Sequence, residues 1–257
     1  VLTSALVIAD ICSGSVASYT PTSSTAGATF DWSRATIAGI SPVGPTTGTG
    51  TVNETLNNST TAPITVTYVY TVSANGCTNA TTYDVDVVVN PNPVFTATNN
   101  AASICSGDDT DIAFASATTG HQINVVSVAY GAVTGGTVVA GTTTFVDTDV
   151  LAETLSNATT APISVVYEFN VTTPGTTPEC PLVPVSQFVT VVVNPDPVLT
   201  SALVIADICS GSLVTYAPTS STAGATFDWS RATIAGISPV GPINGTGDIN
   251  ETLTNST

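Results

Sequence analysis

The chain has 257 residues, with 18 acidic side chains against 2 basic ones, a formal net charge of −16. That balance excludes a protein that grips nucleic-acid phosphates, since such binding needs Lys and Arg to displace condensed counterions. With 42% hydrophobic and only 8% charged residues, the chain is also too apolar for a disordered acidic tail, so it reads as folded.

The opening run, Val1 to Ile11, is shorter than the roughly 18 apolar residues of a membrane helix. It lacks the basic leader of a signal peptide and returns at 198–208, so it is read as structure. The whole block 1–60 returns 197 residues later, at 198–257, with 51 of 60 positions identical and Pro21 to Pro45 unchanged. The only two basic residues, Arg34 and Arg231, are one position of that repeat. A repeat of this length makes an array the first hypothesis for the architecture.

Within the first unit, short β-rich runs alternate with turn residues, predicting strands near 3–9, 15–20, 28–34, 51–57, 63–72 and 82–89. Phe30 and Trp32 flank Asp31, which sends both rings to one side and the acid to the other. An inner-sheet core pair is the expectation, and an exposed sugar-stacking platform is the alternative. The run Ile64 to Val72 places Ile64, Val66, Tyr68, Tyr70 and Val72 on one face, and Tyr83, Val85, Val87 and Val89 do the same in the last strand. Between these two strands Asn75-Gly76 signals a tight hairpin.

The motif Val-Val-Val-Asn-Pro-Asn-Pro-Val at 87–94 reappears as Val-Val-Val-Asn-Pro-Asp-Pro-Val at 191–198. Paired prolines stop strand pairing and stiffen the connection, so these are the expected domain joints. They divide the chain into unit A (1–93), unit B (94–197) and a second, incomplete copy of A (198–257). Unit B keeps Ile104-Cys-Ser-Gly, Glu153-Thr-Leu and Thr159-Thr-Ala-Pro-Ile163. It replaces the Phe-Asp-Trp strand with the run from His121 to Ala129. His121 is expected to be a strand residue, because no recurring nucleophile or second histidine accompanies it to suggest Ser-His catalysis.

These motifs together resemble the PKD-like, immunoglobulin-like repeats of large secreted bacterial surface proteins and adhesins. They are the Ile-Cys-Ser-Gly-Ser opening, the Ala-Thr-Phe-Asp-Trp-Ser strand, the Glu-Thr-Leu run, the Asn-Gly-Cys turn and the closing Val-Asn-Pro-x-Pro. The resemblance implies an all-β chain of tandem antiparallel β-sandwiches, strung as beads in an extracellular or cell-surface array. Its repeats are structural or adhesive. Unit B departs from the pattern by losing the tryptophan strand.

The cysteines fall as Cys12 and Cys77 in unit A, Cys105 and Cys180 in unit B, and Cys209 as the repeat of Cys12. The partner of Cys209 would correspond to Cys77 and fall after Thr257, so we expect a window of a longer repetitive polypeptide. Paired cysteines imply an oxidising compartment. Intradomain bonds Cys12–Cys77 and Cys105–Cys180 are preferred, and require Cys12 to sit at the top of the first strand. A bond between successive domains, Cys12 to Cys180, is the rival.

Asp108, Asp109 and Asp111 form the acidic cluster that comes nearest to a structural calcium site, although no complete calcium loop is present. No other cofactor is expected. Nine of the sixteen asparagines begin Asn-x-Ser/Thr, which makes glycosylation a candidate modification, foremost at Asn58, Asn157 and Asn255 and next at Asn53 and Asn250. The expected function is non-enzymatic: a structural part of an extracellular filament or stalk whose partners are further copies of the repeat. The alternative is an adhesin module that binds carbohydrate or protein through exposed loops such as Gly39–Gly50 or Val126–Thr144.

Overall fold

The computed structural model describes residues 1–180 and 186–257, and all regular structure in them is β-strand or turn. Unit A contains β1 (Ile11–Cys12), β2 (Ser15–Tyr19), β3 (Thr29–Arg34), β4 (Ile40–Ser41), β5 (Thr46–Thr49), β6 (Val52–Asn58), β7 (Ile64–Ala74) and β8 (Cys77–Asn90). One sheet runs β1-β8-β7-β3-β5 and the facing sheet β2-β6-β4. The alternation seen in the sequence builds the core between them. Val66, Tyr68, Tyr70, Val85, Val87 and Val89 from one sheet meet Ala17, Tyr19, Val52 and Leu56 from the other. Each fully buried apolar side chain of this kind contributes roughly 1.5–3 kcal/mol.

The β7–β8 hairpin closes on Asn75-Gly76, with Ala74 paired to Cys77. Both turn residues have positive φ, 51° and 79°, as the two-residue turn requires. The tightness of that turn lets β8 start at Cys77, five residues before the expected 82. The strand expected at 3–9 is absent. That segment lies along β8 through the hydrogen bonds Ile8 N–H to Asp86 O and Asp86 N–H to Leu6 O, and regular pairing begins only at Ile11. Half of Gly39–Gly50, expected as an exposed loop, is taken up by β4 and β5.

Unit B repeats the plan with β9 (Thr96–Asn99), β10 (Ser103–Cys105), β11 (Ile112–Ala115), β12 (Gln122–Ala129), β13 (Thr144–Phe145), β14 (Val150–Leu151), β15 (Ile163–Thr172) and β16 (Gln187–Asn194). Its sheets are β10-β16-β15-β12-β13 and β14-β11-β9, around a separate core that includes Ile112, Phe114, Val125, Leu155, Tyr167 and Phe169. β12 takes the place of the tryptophan strand, as its sequence position suggested. His121 falls one residue before it, and its ring Nδ1 lies 2.7 Å from the Thr118 carbonyl oxygen. The last 60 residues form β17 (Ser212–Tyr216), β18 (Asp228–Arg231), β19 (Ile237–Ser238), β20 (Ile243–Thr246) and β21 (Ile249–Asn255). Their registers repeat those of the first unit.

Phe30 and Trp32 pack against the unit A core, half-buried rather than fully enclosed. Trp32 meets Tyr68 edge-on at 5.5 Å and lies flat across Gly48, its cross-strand partner on β5. A Cβ at Gly48 would come within 2.4 Å of the indole, and Gly245 stands in the same relation to Trp229. Replacing Gly48 by alanine should therefore destabilise unit A by about 1–3 kcal/mol, the usual range for overpacking. Urea unfolding followed by Trp32 fluorescence in a Trp229→Phe background measures it, and an unchanged midpoint would refute this account of the pair.

Candidate functional site

Two features rise above ordinary sandwich packing: a carboxylate held inside each unit, and the joint between units. In β6 the inward positions are Val52, Glu54, Leu56 and Asn58, so an acid and an amide share the face that builds the core. Arg34 closes on Glu54 from the opposite sheet, with Nε donating to Oε2 at 2.9 Å and Nη2 to Oε1 at 2.7 Å. The guanidinium also donates to the Pro42 carbonyl and to Thr46 Oγ1, and the Tyr68 hydroxyl donates to Glu54 Oε2 at 2.6 Å. Arg34 is 1% exposed. The third unit repeats the fork, Arg231 Nη2 to Glu251 Oε1 at 2.7 Å.

Unit B keeps the acid but not the arginine. Glu153, 2% exposed, accepts from the hydroxyls of Tyr130 at 2.8 Å and Tyr167 at 2.7 Å, from Val138 N–H at 2.6 Å and from Thr137 N–H. Burial, then the hydrogen bond to Glu153, pushes both tyrosine hydroxyls well above their ordinary range. In unit A, burial works against the Glu54 charge, but the bonds from Arg34 and Tyr68 and the charge of Arg34 outweigh it and hold the carboxyl below its usual value.

The asparagines expected to carry glycans are used differently. Asn58 Nδ2 donates to the carbonyls of Ala62 and Val89, both at 2.8 Å, while its Oδ1 accepts from the N–H and hydroxyl of Thr60. Asn157 makes the same four bonds in unit B, to Ala161, Val193 and Thr159. Both residues are buried, so the nitrogen a glycan would need is enclosed in the fold and the expectation fails at these two positions. The Asn-x-Thr pattern is a stitch that ties the turn before β7 or β15 to the last strand. Asn53 and Asn250 are exposed, while Asn255, the repeat of Asn58, accepts the same bonds from the N–H and hydroxyl of Thr257.

The calcium candidates separate in the same way. Asp108 accepts from Cys105 N–H, Asp109 from the Thr154 hydroxyl and Asp111 from the Asn100 amide. Among the described residues no group of three His, Cys, Asp or Glu side chains comes together to hold a metal.

The preferred cysteine pairs are also overturned, because Cys12 is bonded to Cys180. Cys12 pairs across from Asn90 at the end of β8, whereas Cys77 begins that strand. Thirteen residues of strand at ~3.3 Å each put them about 43 Å apart, against the ~7 Å between Cα atoms that a disulfide tolerates. Cys105 pairs across from Asn194 at the end of β16, so it too is remote from the cysteine preceding that strand. Cys180 belongs to the β15–β16 connection, at the end of unit B that faces unit A, and there it meets Cys12.

The disulfide is one tie among several at this joint. Thr119 N–H of unit B donates to the Thr61 carbonyl of unit A at 2.9 Å, Asn92 Nδ2 reaches the Ser13 carbonyl, and Val94 N–H donates to Thr118 Oγ1. Pro91 and Pro93 are buried. The joint after unit B has matching bonds, Ala223 N–H to the Thr160 carbonyl at 3.0 Å and Val198 N–H to Thr222 Oγ1. The observed Cys12–Cys180 bond is the rival pairing that the sequence offered, whereas the carboxylate clamp was not anticipated. The available signal for the clamp was an acid in an inward strand position, together with two arginines confined to one repeat position.

Residues 9–93 match the family model described as PKD-like domain. Among solved structures, a three-domain Ig fragment of titin is similar at 11% identity and TM-score 0.41, covering 98% of this chain and 86% of that one. Drosophila N-cadherin EC1-4 is similar at 9% identity and TM-score 0.35, covering 74% and 48%. The Yersinia pseudotuberculosis adhesin InvE gives 14% identity and TM-score 0.27, covering 76% and 58%. The chain thus spans about half the length of the cadherin fragment. No curated protein matches.

Removing the guanidinium tests the clamp. Arg34→Met leaves a buried carboxylate without its counter-charge and should destabilise unit A by about 3–5 kcal/mol, with unit B unaffected. Because the folded pKa of Glu54 is lowered, the clamp's contribution is present above the ordinary carboxyl value near 4.5 and is lost as pH falls below it. Tyr68 is raised from its ordinary value of 10, so its contribution is lost as pH rises beyond that. Thermal unfolding of wild type and Arg34→Met across both windows measures this, and identical acid limbs would count against the clamp.

Proposed function

We propose that this chain, whose residues 9–93 form a PKD-like domain among immunoglobulin-like repeats, is a stretch of an extracellular stalk or filament that carries tension. Its partners are further copies of the same units, its domains are 1–93, 94–197 and 198–257, and its location is secreted or cell-surface. The observation that carries this reading is the disulfide across the first joint. It closes a covalent loop with a sequence separation of 168, enclosing nearly all of unit A and most of unit B. Load applied at the chain ends passes from Cys12 directly to Cys180, so the strands between them are not pulled apart. The proline joint and the Thr119–Thr61 bond tie the two units together. The acidic, threonine-rich surface keeps the rod hydrated and apart from its like-charged neighbours.

Force spectroscopy tests it. Pulling from the two ends under oxidising conditions should release none of the enclosed residues. Reduction should add up to about 570 Å of extension, at ~3.4 Å per residue over the 168-residue separation. Equal contour lengths in the two conditions would remove the basis of the stalk reading.

A second reading, an adhesin module, is favoured by one observation. A shallow hollow lined by Asp31, Trp32, Ser33, Thr47, Gly48, Thr49, Val69 and Thr71 lies across β3, β5 and β7, and its counterpart recurs at Asp228, Trp229, Ser230, Asn244, Gly245 and Thr246. Glycan-array binding that disappears in Asp31→Ala/Asp228→Ala is the expected result for that reading, and an array without hits would reject it.

A further inference from the structure

Three cysteines, Cys77, Cys105 and Cys209, are exposed thiols. All three occupy positions equivalent to those bonded at the first joint, Cys209 being the repeat of Cys12. Cys105 stands in unit B where Cys12 stands in unit A: β10 pairs parallel with the end of β16 and puts Cys105 opposite Asn194, just as β1 puts Cys12 opposite Asn90. Cys77 belongs to the β7–β8 hairpin of unit A, the counterpart of the β15–β16 connection that supplies Cys180. Thus Cys105 lies on the face of unit B that receives the next unit, and Cys77 on the face of unit A that meets the unit before it.

The joints themselves agree independently of the cysteines. At A-to-B the carbonyl of Thr61 accepts from Thr119, and at B-to-A the carbonyl of Thr160 accepts from Ala223. Thr61 and Thr160 are the same position of the Thr-Thr-Ala-Pro turn. Thr118 and Thr222, one residue before the two donors, each accept the N–H of the residue that follows the second joint proline. The next unit therefore docks on the same anchor at both joints. The third unit is described as far as Thr257, the counterpart of Thr60, which precedes its hairpin position.

We infer that the B-to-A joint carries the same covalent tie as the A-to-B joint, formed between Cys105 and the hairpin cysteine of a following A unit. By the same geometry, the hairpin cysteine of any unit A that follows a B unit, the position of Cys77, is the acceptor for that B unit's Cys105-type cysteine. The partner recognised by each exposed thiol is a second copy of this repeat. Bond formation needs a two-electron acceptor, which a small organic disulfide such as oxidised glutathione supplies. The Cys105 thiolate attacks one sulfur of that disulfide and releases half of it as thiolate. The hairpin thiolate then attacks the Cys105 sulfur in the mixed disulfide and releases the other half, so both thiol protons leave and the glutathione disulfide is reduced. The inference rests on the joints and not on the stalk reading, so either can fail without the other.

The test is a chain of residues 1–197 followed directly by a second copy of 1–93, which places a complete unit A, with its own core, after unit B. It is refolded in a glutathione redox buffer, treated with maleimide without reduction, and mapped by peptide mass. The expected result is a peptide joining Cys105 to the appended Cys77, alongside Cys12–Cys180. Maleimide then reaches only the first unit's Cys77 and the appended Cys12. Cys105 labelled by maleimide while Cys12–Cys180 is intact would overturn the inference. A Cys180→Ser version guards against chance pairing: it should free Cys12 and leave the Cys105 link in place. A bond from the appended Cys77 to Cys12 in that version would show that thiol availability, not the joint, selects the partner.

Discussion

Each complete unit must house one carboxylate inside a β-sandwich, and much of its geometry follows from that. A buried charge is tolerated only when it is paired and its oxygens are saturated with donors. In unit A, Arg34 does this from the facing sheet, and its remaining N–H groups hold Pro42 and Thr46, so one side chain sets both the spacing of the sheets and the course of the β4–β5 segment. In unit B, Val128 stands opposite Tyr167 where Arg34 stands opposite Tyr68, so no guanidinium is available. The segment from Tyr130 to Val138 folds back instead and brings a hydroxyl and two backbone N–H groups to Glu153. The most divergent loop of unit B is thus explained by what replaces the arginine.

The buried asparagines act in the same spirit. Asn58 and Asn157 spend every amide hydrogen bond on the turn before the central strand and on the last strand, and that turn also offers the carbonyl on which the next unit docks. The interior polar network and the joint are therefore one continuous structure. That network reaches the end of the last strand, where Cys12, the disulfide partner of Cys180, lies beside Asn90.

Much of this was legible in the residues. Alternation along Ile64–Val72 and Tyr83–Val89 marked the core face, and Asn75-Gly76 marked the hairpin. These are local signals, set by the period of a strand or the φ of a turn. Residues 3–9 misled because a β-rich composition does not say whether a segment has a partner throughout its length. Asn58 and Asn157 misled because a sequon and a buried Asx turn share the same three residue types.

From the chain alone came the repeat, the all-β class and the inward faces of the long strands, because each depends on composition or on neighbours within a few residues. The tertiary structure alone decided that Arg34 meets Glu54, that Glu153 is satisfied without an arginine, and that Cys12 joins Cys180 rather than Cys77. Those outcomes depend on which strand ends come together in space. A strand about 43 Å long separates two cysteines of one domain, while a proline joint brings two cysteines of neighbouring domains into bonding distance.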